Sequence, residues 1–419
     1  MINDGNVPRE LSGLVVPLLG SLEATGDLFQ PYRLVDGKDV AVGPAAAFFA
    51  ELAACGRPAT TQRSYGMDLL RWFRFLWALQ VDWDQATRAE ARDFCRWLQV
   101  TVKPGRPHWR APDGASGLGG VRGPATTNVV TGKRPRGDRY EASTVAHCES
   151  VLRGFYDFHL EAGTGPMLNP FPLARHRRPG RAAAHQNPME PFAGVRAGRY
   201  RPKVVTRAPR SIPDERFDAL FAQLGSFRDR ALVAFWVSTG ARASELLGAT
   251  VADADPGQQL ITVMRKGTRV LQPLPAAPDA FVWLRLCQAQ LSSLVPPGRD
   301  EPLWWTLRRP FRALRYDAAR VMFTRANAAL GSNWSLHDLR HTAAYRMARD
   351  PQVPLPDVQW VLGHAHLSTT QRYLNPVTED VIAGVLAFHA RQRDRDPATP
   401  PGVGYRAESL QILFGRGES

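Results

Sequence analysis

Six residues in the second half of this 419-residue chain are of types that could act on a phosphate ester. Arg242 lies in Ser238-Thr239-Gly240-Ala241-Arg242-Ala243-Ser244-Glu245-Leu246, and Lys266 in the basic run Arg265-Lys266-Gly267-Thr268-Arg269. His337 and Arg340 belong to His337-Asp338-Leu339-Arg340-His341-Thr342, while His364 closes Leu362-Gly363-His364 and Tyr373 follows it by nine residues. Transfer at a phosphodiester builds negative charge on the non-bridging oxygens, and guanidinium forks can hold those oxygens in pairs without losing their own charge. A phenol, with an unperturbed pKa of about 10, needs a base and a positive pocket to become a nucleophile. An ammonium on a turn suits protonation of a departing oxygen. Taken singly, each piece has an ordinary explanation. Arg242 and Glu245 are spaced as a helical ion pair, Leu-Gly-His reads as a helix end, Lys266 as a solvated turn residue, and Tyr373 as a core or surface aromatic.

Read together and in order, these pieces resemble the tyrosine recombinase, or phage integrase, family. The likeness spans roughly residues 205–390, and a weaker one to the family's helical core-binding domain spans about 45–172 and includes Asn169-Pro170. By that resemblance Arg242 and Arg340 are the two phosphate-binding arginines, Lys266 the hairpin lysine, His337 and His364 the two histidines, and Tyr373 the nucleophile. His337 and the arginines would then favour the phenolate, and Lys266 would protonate the 5′-oxygen. No metal and no cofactor is implied. His341 and His366 read as structural. Ala241, Asp350-Pro351 and Leu374-Asn375 depart from the family's usual residues without removing a chemical role.

Positioning those groups falls to a mostly helical segment. Pro213, Asp214 and Glu215 suit a first helical turn, with a helix to about Leu224 and a second over Phe227–Ser238. Runs Gln259–Met264 and Val270–Leu274 on either side of the basic turn predict a two-stranded hairpin. Further helices are predicted over Asp279–Leu294, Tyr316–Leu330, His337–Arg349, Pro356–Leu362, Ser368–Tyr373 and Glu379–Arg391. The three-residue spacing of His337 and Arg340 puts both on one helix face, and Gly363 permits a close turn before His364.

The first half predicts its own helical module. Tyr65, Leu69, Phe73, Leu76 and Trp77 draw one buried stripe over Thr61–Gln80, with Arg63, Arg71 and Arg74 mostly off it. A second helix is predicted over Arg88–Val100. A third runs from about Ser143 to Glu161 with Val145, Cys148, Leu152, Phe155 and Tyr156 on its core side. Residues 101–141, rich in Gly, Pro and basic residues, read as a long surface insertion. From Ala174 to Arg210 ten Lys/Arg face the single acid Glu190, which predicts a flexible linker able to track phosphates.

The fold class expected is therefore mainly α, a two-domain clamp of a helical core-binding domain and a mostly helical catalytic domain with a small antiparallel sheet. Its divisions are an extension at 1–44, the core-binding domain at 45–172, a basic linker at 173–204, the catalytic domain at 205–394 and a tail at 395–419. Lys plus Arg exceed Asp plus Glu by 53 to 39, so a polyanionic partner is expected. Arg63, Arg71, Lys203 and Arg269 are the candidate DNA contacts. The apolar patch Leu14–Leu19 is too short to span a membrane and lacks a signal-peptide start, which predicts a cytoplasmic protein. Cys55, Cys95, Cys148 and Cys287 lack paired spacing and read as reduced core thiols. The resemblance implies site-specific recombination of double-stranded DNA by a homo-oligomer, four protomers on two sites, for integration, excision or transposition of a mobile element. A type IB topoisomerase and a non-catalytic DNA-binding regulator are the alternatives.

Overall fold

The computed structural model describes residues 9–11, 13–104, 126–135, 137–174, 197–204, 210–364, 370, 373, 385–391 and 408. The chain divides into two compact units. One comprises residues 1–126 with 134–206, the other residues 127–133 with 207–419.

In the first unit, an antiparallel pair β1 (Ser21–Ala24) and β2 (Tyr32–Val35) is followed by α1 (Gly43–Ala54), α2 (Ala59–Leu79), α3 (Arg88–Val100) and α4 (Ala142–Glu161). The β1–β2 pair packs on α2, so part of the expected N-terminal extension belongs to this unit. The stripe predicted for α2 is too narrow. Leu69, Phe73 and Leu76 are buried, but so are Leu70, Trp72 and Phe75, because α1, α3, α4 and the hairpin cover this helix on several sides. Trp72 sits at the centre, its indole N–H donating to the Tyr156 hydroxyl at 2.9 Å while that hydroxyl donates to the Trp83 carbonyl at 2.9 Å. Both polar tips of these aromatics are thereby satisfied in a dry core. The predicted core side of α4 is buried throughout. Cys55 corrects the expectation for the thiols, for it caps α1 in the open while the other three are buried.

In the second unit, α5 (Asp214–Ala222) leads to α6 (Phe227–Thr239) and the short α7 (Ala243–Leu247). Strands β3 (Ala254–Asp255), β4 (Leu260–Met264) and β5 (Leu271–Pro275) form an antiparallel sheet in that order, with Ile261 opposite Leu274. Helices α8 (Pro278–Leu291), α9 (Tyr316–Ala329), α10 (Leu336–Arg349) and α11 (Leu355–Leu362) follow. Ala231, Leu232, Val233, Phe235 and Trp236 of α6 are all buried, since α8 packs on one side and α10 on another. A helix apolar all round is a core helix. The element bounds match the sequence expectations within a few residues, with α7 and β3 as additions. Of the predicted helices after residue 364, residues 385–391 are described and helical; apart from residues 370 and 373 the rest of those helices, the apolar tail at Leu410, Ile412, Leu413 and Phe414, and the Arg175–Arg181 cluster of the linker lie outside the described residues.

The insertion is anchored at one point on the surface. Asn128 donates from Nδ2 to the Gly331 carbonyl at 2.8 Å, and Thr131 donates to Asn333 Oδ1 at 2.5 Å. The turn that holds them is tied by Asn128 Oδ1, which accepts from the backbone of Val130 and Thr131. Residues 127–133 therefore rest on the loop ahead of α10.

Candidate active site

Helix α10 is the platform. Ser335 caps it reciprocally with Asp338, whose Oδ2 accepts the Ser335 backbone N–H at 2.7 Å and its hydroxyl at 2.8 Å. Thr342 braces it against the start of the unit, accepting the Ile212 N–H at 2.8 Å. From this start the helix presents Arg340 inward, at 3% exposure. Arg340 Nη1 donates to the Gly240 carbonyl at 2.6 Å, and Nη2 donates to the Leu362 carbonyl at 2.6 Å and to His364 Nε2 at 3.0 Å. One guanidinium thus gathers the end of α6, the end of α11 and His364. Gly240 ends α6 at φ +62°, and a Cβ there would come within 2.9 Å of Leu362, so only glycine allows both the turn and the close approach.

Glu245 organises the opposite side. It is 4% exposed, and its carboxylate accepts the Arg242 backbone at 2.9 Å, the Arg242 guanidinium at 2.8 Å, Arg265 Nη1 at 3.0 Å and the Lys266 backbone at 2.9 Å. Burial would raise the carboxyl's pKa, but these donors outweigh it and hold it below the ordinary value. Arg265 is buried as well, reaching Gln272 Oε1 at 2.6 Å and the Val361 carbonyl. It is a strut between β4 and α11, unlike its exposed neighbour Lys266. Gly363, at φ +60°, passes so close that a Cβ would lie 3.1 Å from Arg265 Nε.

His364 accepts from Arg340 through Nε2, so its own proton is on Nδ1, directed at the buried Thr370 hydroxyl 2.9 Å away. Burial, with Arg340 and Arg242 adding positive charge, pushes its pKa down to about 4, and the ring is neutral at neutral pH. Its plane lies 5° from that of Tyr373, with centroids 6.2 Å apart. Tyr373 is 7% exposed, and its hydroxyl lies 2.7 Å from His341 Nδ1. His337 stands one turn earlier on α10, its centroid 4.2 Å from that of His341. Although His337 is exposed, partial desolvation and then Arg340 lower its pKa. Burial, and next the charge of Arg242, brings Arg340 itself down to about 10.

The structure thus brings Arg242, Arg340, His337, His364 and Tyr373 into one electrostatic neighbourhood. Lys266 is anchored by its backbone while its side chain is exposed on the turn. His341, expected to be structural, reaches the phenol. The signal for it was its place four residues after His337, on the same face of α10. Of the expected DNA contacts, Arg269 and Lys203 are exposed. In the first unit, Arg63 and Arg71 line one groove with Thr60, Ser64, Asp68, Thr144 and His147. Arg71 there pairs with Asp68 and lies over the Tyr140 ring, 5.1 Å from its centroid.

Residues 214–379 match the model of the phage integrase family. Over these residues the chain is similar to that family. Among curated proteins, it is similar to the tyrosine recombinase XerD of Yersinia pestis, 27% identical over 198 residues that cover 42% of this chain and 61% of that protein. It is also similar to the tyrosine recombinase XerC of Mycobacterium tuberculosis, 32% identical over 173 residues covering 41% of this chain and 55% of that one. The aligned part is under two thirds of the length of either relative. The fold is that of the Tn1549 transposon integrase solved with circular intermediate DNA, with TM-score 0.51, 13% identity, and coverage of 82% of this chain and 98% of that one. It is likewise that of the site-specific recombinase XerH bound to its palindromic difH substrate, with TM-score 0.52, 15% identity, and coverage of 83% and 85%. A mainly α fold with small antiparallel sheets is the fold class the sequence predicted. No described helix is long and apolar enough to cross a membrane.

Proposed function

We propose that the protein is a site-specific DNA recombinase. It cleaves and rejoins double-stranded DNA through a covalent bond between Tyr373 and a DNA 3′-phosphate, and it serves the movement of a mobile element. The observation that carries this reading is the setting of Tyr373, a phenol held against an imidazole and stacked beside a neutral histidine within the field of Arg340 and Arg242. Two guanidiniums that cannot lose their charge suit the non-bridging oxygens of a phosphodiester, and the same positive field favours the phenolate.

In this account Arg242 and Arg340 clasp the scissile phosphate and His364 completes its surroundings. The ammonium of Lys266 protonates the 5′-oxygen as the P–O bond breaks. The duplex is held through phosphates by both units, with Arg63 and Arg71 in the first and Arg269 in the second, and Lys203 in the linker. Four protomers on two DNA sites, acting in the cytoplasm without metal or cofactor, complete the proposal.

The test is covalent capture on nicked suicide duplexes, drawn from a pool with randomised sequence. Wild-type protein should give a denaturation-resistant protein–DNA band, and Tyr373→Phe should bind DNA without forming it. Failure of wild type to trap any duplex would reduce the protein to a DNA-binding regulator. Relaxation of supercoiled plasmid by isolated monomers would instead favour a type IB topoisomerase.

A further inference from the structure

Tyr373 can attack a phosphate only if its proton leaves, and its hydroxyl oxygen lies at hydrogen-bond distance from one particular imidazole nitrogen, Nδ1 of His341, at 2.7 Å. The other two histidines of the site are less suited. His364 offers no lone pair, because Nε2 accepts from Arg340 and Nδ1 carries the proton directed at Thr370. His337 is exposed one helical turn away, with its ring against His341. We propose that His341 is the general base for Tyr373, taking the phenolic proton on Nδ1 during cleavage and returning it during rejoining. This rests on the reading of Tyr373 as the nucleophile.

The step balances without another reactant. In cleavage the phenolic proton passes to Nδ1 as the Tyr373 oxygen bonds to phosphorus, and the P–O5′ bond breaks with its electron pair and a proton from the general acid going to the 5′-oxygen. In rejoining, the 5′-hydroxyl loses its proton to that acid's conjugate base and attacks, the Tyr373–phosphorus bond breaks, and the phenolate recovers its proton from His341. Around His341, His337 packs from the same helix with ring centroids 4.2 Å apart, and Arg340 is its neighbour in the chain. The requirement for geometry before pKa is met, since a general base must lie about 2.6–3.2 Å from the proton's heavy atom.

The experiment measures single-turnover covalent capture across pH on a nicked suicide duplex that wild type has selected from the randomised pool. The proteins compared are wild type, His341→Ala and His341→Asn. Asparagine places an amide near the Nδ1 position, so it can hold the phenol without acting as a base. Both variants should bind the duplex within about twofold of wild type yet cleave about 100-fold or more slowly. Their rates should keep rising with pH where wild type has levelled off. Added imidazole should restore part of the rate to His341→Ala and not to His341→Asn. Near-normal cleavage by His341→Asn would overturn the proposal and leave His341 a positioning residue. So would slow cleavage by both variants with the wild-type pH profile and no response to imidazole. Absence of any capture by wild type would remove nucleophile and base together, and is thereby distinct from failure of the base alone.

Discussion

Arg242 and Lys266 share one carboxylate oxygen, Glu245 Oε1, which lies 2.8 Å from the Arg242 guanidinium and 2.9 Å from the Lys266 backbone nitrogen. The other oxygen holds Arg265 and the Arg242 backbone. A single buried acid therefore fixes the start of α7 to the start of the β4–β5 turn, and with it the distance between the proposed phosphate ligand and the proposed acid.

Removing that acid should be costly. Glu245→Ala would leave buried Arg265 without its counter-charge, and breaking a buried pair costs about 3–5 kcal/mol. Urea denaturation should show a loss of that size in the transition reporting the second unit. A loss under about 1 kcal/mol would mean that the carboxylate is not the keystone described.

His364 makes stability depend on pH. Its folded pKa of about 4 lies below the ordinary 6.5. As pH falls from 6.5 towards 4 the unfolded chain takes up a proton that the folded chain refuses, and stability declines across that window. Above 6.5 the contribution is fully present. His364→Gln should abolish this part of the slope, so the stability difference between wild type and variant should be constant above pH 6.5 and shift against wild type towards pH 4. A pH-independent difference would contradict the neutral assignment.

Arg340→Lys should be far from conservative. The guanidinium reaches Gly240, Leu362 and His364 at once, and an ammonium cannot reproduce that fork. Loss of one donor to a developing oxyanion costs about 100- to 1,000-fold in rate. Single-turnover cleavage should fall by at least that while half-site binding is largely kept. Cleavage within tenfold of wild type would take Arg340 out of the phosphate site.

Lys266 is tested by its leaving group. A thiolate, whose conjugate acid has an unperturbed pKa of about 8.5, departs with little help, whereas an alkoxide needs a proton. Lys266→Ala should cleave ordinary DNA very slowly and recover much of its rate on a duplex with a 5′-bridging sulfur. Arg340→Ala should recover far less. Equal rescue of both, or of neither, would assign the proton to another group.

Local periodicity and caps made most of the second unit legible. The Pro213 start, the Gly240 stop and the hydrophobic runs on either side of Arg265–Arg269 each act within a few residues, and the elements lie where they point. What escaped depends on contacts distant in sequence. Arg265 reads as a surface cation until Glu245, 20 residues earlier, and Val361, 96 later, close around it. His341 reads as structural because its partner stands 32 residues on, beyond a turn whose path no local pattern fixes. The wider burial of α2 follows from three helices and a hairpin packing on it, which one stripe cannot foretell. The β1–β2 pair was missed because four-residue strands carry too little alternation to stand out.

The central claim is that Tyr373 bonds to DNA, and the most direct measurement is mass spectrometry of the trapped complex after digestion with protease and nuclease. A 3′-phosphonucleotide should be found on the peptide containing Tyr373, linked through its phenolic oxygen, and should be absent from Tyr373→Phe. An adduct on any other residue, or a trapped 5′-phosphate end, would contradict the account.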